Sequence, residues 1–307
     1  MEQLALFPQL DKDVASPSQS NVIGGIVNVA TVPQHSPFRY PGGKTWLAPR
    51  MRQWLRWLGR QDKRPTEFIE PFAGGGSMSL LVAFERLAGH VTMIELDPEV
   101  AAVWHTVLEG DGTLLAQDIL CFTPTPAAIA KTLTMPPTTL EARAFQTIVR
   151  NRVQRGGILA PGAGLIKQGE AGRGVASRWY PETLKRRILD IIAIRERITF
   201  IEGDGLRIAK QYVHRDDVAF FFDPPYTAAG KKAGSRLYSC SELDHEALFA
   251  LAGELHGDFL MTYDNAEGVH ELARKHHFEV RAIAMKNTHH AKMSELLIGR
   301  DLRWLDE

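Results

Sequence analysis

Asp223-Pro224-Pro225-Tyr226 closes the apolar run Val218 to Phe222, and these four residues together can do an uncommon piece of chemistry. A Val- and Phe-rich run reads as a buried strand, and two successive prolines end it and stiffen the loop that follows. Such a loop fixes a carboxylate, a neighbouring carbonyl with no competing backbone donor, and an aromatic face beyond the carboxyl edge of a sheet. A planar base with an exocyclic amine suits that spot, its two amine hydrogens facing the two oxygens and its ring facing the Tyr. The chemistry indicated is methyl transfer onto the amine.

Other elements must position that loop and bring a second ligand to it. FIEPFAGGGS (Phe68 to Ser77) reads as a strand running into a Gly-rich turn, and SLLVAFERL (Ser79 to Leu87) has the apolar spacing of a helix. Gly74, Gly75 and Gly76 allow close backbone approach, and the helix amino terminus offers free N–H groups. A second strand, VTMIELD (Val91 to Asp97), ends in Glu95 and Asp97, about twenty residues beyond Gly74, the spacing of an acidic group that holds ribose hydroxyls. Gly43-Lys44-Thr45 is not a P-loop, because the motif needs Gly at position 38 and the residue is Phe38.

These motifs, in this order, resemble the bacterial DNA adenine methylases of the Dam-like class. FRYPGGK (Phe38 to Lys44) looks like the amino-terminal cofactor motif, EPFAGGGS the glycine motif, ELD the ribose carboxylate motif, EGDGL (Glu202 to Leu206) the acidic motif beside the cofactor adenine, and FDPPY the catalytic loop. LYSCSELDHEALFALA and FLMTYDN fall where the class carries its later motifs. The resemblance implies S-adenosylmethionine as cofactor, contacted by Tyr40, Lys44, Glu95 and Asp204, with Glu70, Phe72, Gly74, Gly76, Asp97 and Asp223 completing the cofactor site. It gives Asp223, Pro224, Pro225 and Tyr226 to the target adenine. Many members place Asp-x-Asn at the ribose position; here it is Glu95-Leu96-Asp97, and register favours Glu95.

The formal net charge is zero, but Glu141 to Arg187 holds ten basic residues against three acidic ones. That segment is the expected DNA surface, with Arg150, Asn151, Arg152, Arg155, Lys167, Arg173 and Arg178 as candidate contacts. It also contains RGGILAPGAGLIKQGEAGRG (Arg155 to Gly174), too rich in Gly for regular structure alone and expected to order on duplex DNA. In the Dam-like class the target-recognition region lies at this place. Arg and Asn suit bidentate contacts to guanine and adenine edges, though they do not spell out a recognition site.

The expected fold is α/β, a doubly wound, mostly parallel sheet of the Rossmann-like methyltransferase type with a reversed last strand and an inserted smaller target-recognition domain. Residues 37–108 and 199–307 form the catalytic domain, 109–198 the insertion and 1–36 a disordered tail. Amphipathic helices are predicted over Thr45 to Leu58 and Leu184 to Ile198, and FEVRAIAMK and KMSELLIGR as a terminal hairpin. In the tail, Gln3-Leu4-Ala5-Leu6-Phe7 resembles the peptide by which bacterial proteins dock on the replication sliding clamp, with Gln3, Leu4, Leu6 and Phe7 as its anchors.

Composition narrows the class further. Hydrophobic residues make up 44%, enough for a substantial core, and no apolar run or leader-like amino terminus points to a membrane or to export, so a cytoplasmic enzyme is expected. Cys121 and Cys240 are too few for a disulfide framework or a Cys-rich zinc site, and neither follows Pro as the nucleophile of a cytosine carbon-5 methylase would. His276-His277 and His289-His290 diverge as adjacent side chains, so no metal is expected. Two rivals stay open: an amino-methylating enzyme acting on cytosine or RNA, and a non-catalytic DNA-binding module.

Overall fold

Every residue of Val218–Phe222 is buried, which identifies it as an inner strand with apolar layers on both faces. Its period of two is visible in the packing: Phe221 joins the cluster on one side of the sheet, while Phe220 and Phe222 stack on the other, centroids 5.7 Å apart. A computed structural model describes residues 22–23, 31–39, 43–160, 162–169, 172–225, 243–286 and 292–307. Tyr40, Tyr226, Cys240, His289-His290 and the clamp-like peptide with Gln3, Leu4, Leu6 and Phe7 lie outside the described residues.

The described strands are β1 (Val22–Ile23), β2 (Glu67–Glu70), β3 (His90–Glu95), β4 (Ile198–Glu202), β5 (Val218–Phe222), β6 (Asp258–Asp264), β7 (Glu279–Lys286) and β8 (Lys292–Gly299). They form one sheet in the order β1-β7-β8-β6-β5-β2-β3-β4. Only β8 is reversed, antiparallel to both β6 and β7; the other pairings among the described strands are parallel. From β2 the chain winds outward through β3 and β4, then returns to place β5 against the other side of β2. That reversal opens a crevice at the carboxyl ends of β2 and β5, where ligands bind in open α/β sheets.

Helices cover both faces. On one side lie α1 (Ala48–Arg60), α2 (Ser77–Glu85) and α3 (Pro98–Leu108), joined by α4 (Gly112–Cys121), α5 (Pro126–Thr134), α6 (Leu140–Val153) and α7 (Pro181–Ile192). On the other lie α8 (Gly205–Ala209), α9 (His245–Glu254) and α10 (Glu267–Lys275). In α1 the residues Met51, Trp54, Leu55 and Leu58 face the core at helical spacing, and Arg52 on the other side grips Glu85 of α2 with bonds of 2.7 and 2.8 Å. A tight turn, Thr45–Leu47, precedes α1, so the helix predicted from Thr45 starts three residues later, with Pro49 in its first turn. The helix predicted to reach Ile198 ends at Ile192, because Ile198 already pairs with Val91 as the first residue of β4.

Residues 109–198 do not bury a core of their own. Leu115, Ile119, Ile148, Val149, Leu184 and Ile188 share a cluster with Trp104 and Val107 of α3, so the insertion thickens one helical layer of the sheet. The packed structure also begins before residue 37, so the tail boundary expected at 36 lies inside packed chain. Val22–Ile23 pairs with β7, and Val32 is buried in the same cluster as Trp104. Between Arg155 and Arg178 the described residues form short turns and an isolated bridge, with Gly156 and Gly157 at positive φ, as the Gly content predicted.

Candidate active site

Parallel strands bring their carboxyl ends to one edge, and here the four strands β2 to β5 each end at an acid: Glu70 on β2, Glu95 on β3, Asp204 just past β4 and Asp223 just past β5. Glu295 reaches the same edge by the opposite route. Because β8 is reversed, its early residues lie there, and Glu295 pairs in register with Asp264, the last residue of β6.

At the centre of this edge is a buried lysine. Lys44, 3% exposed, places its ammonium 2.9 Å from Asp223 Oδ1 and 3.1 Å from Glu295 Oε1. Thr262 of β6 donates its hydroxyl to Asp223 Oδ1 at 2.8 Å. Burial works to lower the Lys44 pKa, but the two carboxylates outweigh it and hold the ammonium above its ordinary range. Lys44 is therefore a fixed cation.

The glycine loop is built around two further carboxylates. Glu95 Oε2 accepts from the backbone N–H of Gly74 at 2.7 Å, while its Oε1 accepts from those of Leu96 and Asp97, each at 2.8 Å. Burial raises its pKa, against the pull of those N–H bonds. Glu70 accepts from the backbone N–H of Ser79 at 2.9 Å and from its hydroxyl. Burial, helped by the charges of Asp223 and Glu95 and opposed by the Ser79 bonds, pushes Glu70 up to about 8, so it carries a proton at neutral pH. Gly76 sits at φ 63°, and a Cβ there would meet Met93 Cε at 2.6 Å, which is why the turn into α2 needs glycine. Trp104 of α3 ties the loop down by donating to the Gly74 carbonyl at 2.9 Å.

Asp97 and Asp204 each cap a helix: Asp97 Oδ1 accepts from Glu99 N at 2.8 Å at the start of α3, and Asp204 Oδ1 from Arg207 N at 2.8 Å at the start of α8. Both also line the cleft. That cleft is about 470 Å³ and brings together Lys44, Glu70, Phe72, Glu95, Asp97, Asp204, Asp223 and Pro225, with Leu96 and Leu206 as apolar walls. Its size is that of a small-molecule site. Gly74 shapes the loop beside it and Pro224 follows Asp223 directly.

The expected DNA residues separate into two groups. Arg155, Lys167 and Arg173 are exposed, and Arg178 is half-buried and lines the cleft. Asn151 is fully buried: its side-chain oxygen accepts from Arg39 N at 2.8 Å, and its amide donates to the carbonyls of Arg39 and Gly157, each at 2.8 Å. Arg152 is 4% exposed and donates to the Pro37 carbonyl, and Arg150 pairs with Glu99 of α3. Asn151 is thus corrected from a base contact to an internal clamp; Arg152 is buried, and Arg150 is half-buried with its guanidinium committed to Glu99. Sequence reasoning missed Thr262, Glu295, Leu96, Leu206 and Arg187 as residues of the site. The one signal for Glu295 was a lone acid in an otherwise apolar strand end.

No family model and no curated protein sequence gives a significant match to the chain. Among solved structures it is similar to a methyltransferase from Geobacter sulfurreducens, with 15% identity and a TM-score of 0.37 over 85% of this chain and 80% of that one. It is also similar to a putative RNA methyltransferase from Pyrococcus horikoshii, with 11% identity and a TM-score of 0.39 over 89% and 95%. The sheet order, with the crevice beside β2 and one reversed strand inside its far edge, decides the architecture. The fold is the Rossmann-like methyltransferase fold. Within that fold the glycine loop and Asp223 flank the crevice from adjacent strands, β2 and β5. Among the described residues no cluster of His, Cys, Asp and Glu forms a metal site, and no helix is long and apolar enough to cross a membrane.

Proposed function

We propose that the protein is a DNA methyltransferase that moves a methyl group from S-adenosylmethionine to the N6 amine of adenine in duplex DNA. The observation that supports it most is the placement of Asp223: at the end of β5, followed by two prolines, gripped by Lys44 and Thr262, and in one cleft with Glu95, Asp97 and Asp204.

The residues suit S-adenosylmethionine. Phe72, Leu96 and Leu206 give apolar walls for a purine, and Glu95 and Asp204 give acceptors for hydroxyl and amine hydrogens, Tyr40 and Lys44 completing the set by the resemblance. Lys44 offsets only part of the acidic edge, and the excess negative charge favours a cationic sulfonium. When bound, the cofactor supplies an electrophilic methyl on sulfur.

The chain's own groups do the rest. The amine of adenine is a weak nucleophile because its lone pair is delocalised into the ring. The Asp223 carboxylate and the Pro224 carbonyl accept hydrogen bonds from its two N–H groups and so localise that pair on nitrogen. Lys44 and Thr262, both bonded to Oδ1, fix the carboxylate's orientation before the base arrives. Since Lys44 keeps its proton, it orients and does not act as a base. The adenine reaches the cleft by swinging out of the stack, where Tyr226 supplies a face for it. Arg155, Lys167, Arg173 and Arg178 hold the DNA backbone. The peptide with Gln3, Leu4, Leu6 and Phe7 makes the sliding clamp a second partner, and Leu6→Ala with Phe7→Ala is expected to abolish clamp binding.

The test is to incubate the protein with labelled S-adenosylmethionine and mixed-sequence duplex DNA and to identify the methylated nucleoside. N6-methyladenine at a recurring short site is the expected result. Label only on cytosine N4, or only in RNA, would overturn the adenine assignment.

A further inference from the structure

The cleft that holds the acidic sheet edge is also lined by arginines. Arg152 on α6 and Arg187 on α7 reach side by side to one strip of backbone: Arg152 donates from Nη2 to the Pro37 carbonyl, and Arg187 from Nη1 to the Ser36 carbonyl at 2.9 Å. Both line the cleft, as do Arg39 and Arg178. Neither Arg152 nor Arg187 pairs with a carboxylate among the described residues.

That arrangement is costly for the protein alone. Arg152 is 4% exposed, its Nε has no hydrogen-bond partner, and the Nε of Arg187 is buried without one. A buried donor left unmatched carries its full desolvation penalty, and two guanidinium groups on one strip repel each other. Burial first, then the neighbouring Arg187 and Arg39, lower the Arg152 pKa to about 9, while at neutral pH it remains a cation. One buried and one half-buried cation, each with an unmatched Nε and neither with a carboxylate partner, match an oxyanion, whose several oxygens can accept from both.

We propose that Arg152 and Arg187 form an oxyanion pocket in the cleft wall that takes a backbone phosphate of the nucleic-acid strand whose base enters the site. The choice of a strand phosphate rests on the DNA reading above and on Arg178, which lines the cleft at the end of the turn Gly174–Arg178 that the exposed Arg173 directly precedes. Sharing the cleft with Asp223, it would hold the strand while Asp223 holds the base. The other source of an oxyanion is the carboxylate of the cofactor, and the experiment separates the two.

Three readings are taken on the wild type, Arg187→Gln and Arg187→Lys: thermal stabilisation by inorganic phosphate, affinity for duplex DNA across a salt series, and affinity for S-adenosylmethionine. The expected result is that phosphate stabilises the wild type and not Arg187→Gln, and that DNA binding weakens about tenfold with a salt slope shallower by about one ion. Cofactor affinity is expected to stay unchanged and Arg187→Lys to fall between. Loss of cofactor affinity with unchanged DNA binding would overturn the phosphate assignment in favour of the carboxylate. No phosphate effect and no change in either affinity would overturn the pocket and leave the arginines as braces for Ser36 and Pro37. Because the phosphate reading does not depend on methyl transfer, failure of the pocket is distinguishable from failure of the proposed enzymatic activity.

Discussion

The two walls of the cleft are built in opposite ways. The sheet edge collects carboxylates and satisfies them close by: Glu95 from Gly74, Leu96 and Asp97, Glu70 from Ser79, Asp97 and Asp204 from the helices they cap. The helical wall collects arginines, with Asn151 buried beside them, and ties them to backbone more than a hundred residues away, Asn151 to Arg39, Arg152 to Pro37 and Arg187 to Ser36. The carboxylates named on the first wall have their partners close by, while Arg152 and Arg187 on the second each keep a buried Nε without one. On the proposed function, the first wall serves chemistry and fixed geometry, and the second serves to hold something charged.

The sharpest way to break that division is Asp223→Ala. Methyl transfer is expected to fall by about a thousandfold or more, with DNA affinity within a few-fold of wild type. A variant that still methylates fully would remove chemistry from the sheet edge. Next comes Lys44→Met, which leaves Asp223 and Glu295 facing each other without their cation; about 3–5 kcal/mol of stability is expected to be lost, measured by denaturant unfolding.

Glu70→Gln probes the same wall in the other direction. The folded pKa of Glu70 lies near 8 against an ordinary 4.5, so its stability contribution is full below about 4.5 and is lost as pH rises toward 8. Gln has no proton to lose, and its advantage over wild type is expected to grow with pH to about 3 kcal/mol at pH 7, from roughly 1.4 kcal/mol per pH unit. A pH-independent difference would mean that Glu70 is ionised in the folded protein. On the helical wall, Asn151→Ala should cost about 2 kcal/mol by orphaning the Arg39 and Gly157 groups. Arg155→Ala should move stability by less than about 0.5 kcal/mol while flattening the salt dependence of DNA binding. Equal effects of these two substitutions on stability would erase the distinction between clamp and surface.

The difference between the walls also explains what the sequence revealed. The sheet edge was legible because its signals are local: a strand, three glycines, a helix, then an acid about twenty residues on, and an apolar run stopped by Pro224-Pro225. β5 and the β7–β8 hairpin follow directly from apolar patterning. The helical wall was misread in part because charge alone cannot tell a buried arginine from an exposed one. Arg150 and Arg155 look alike in sequence, yet one is spent on Glu99 and the other faces solvent. Glu295 was hidden for a topological reason: only the reversal of β8 carries the beginning of a strand to an edge otherwise made of strand ends.

That reversal has a consequence for folding fidelity. In a hairpin, sliding one strand by a single residue turns every side chain to the opposite face. A slip between β7 and β8 would swing Glu295 away and set Ser294 or Leu296 against the Lys44 ammonium, stranding a buried charge. The ion cluster therefore acts as a latch on strand alignment, closing only when the last hairpin of the chain is threaded in its correct frame.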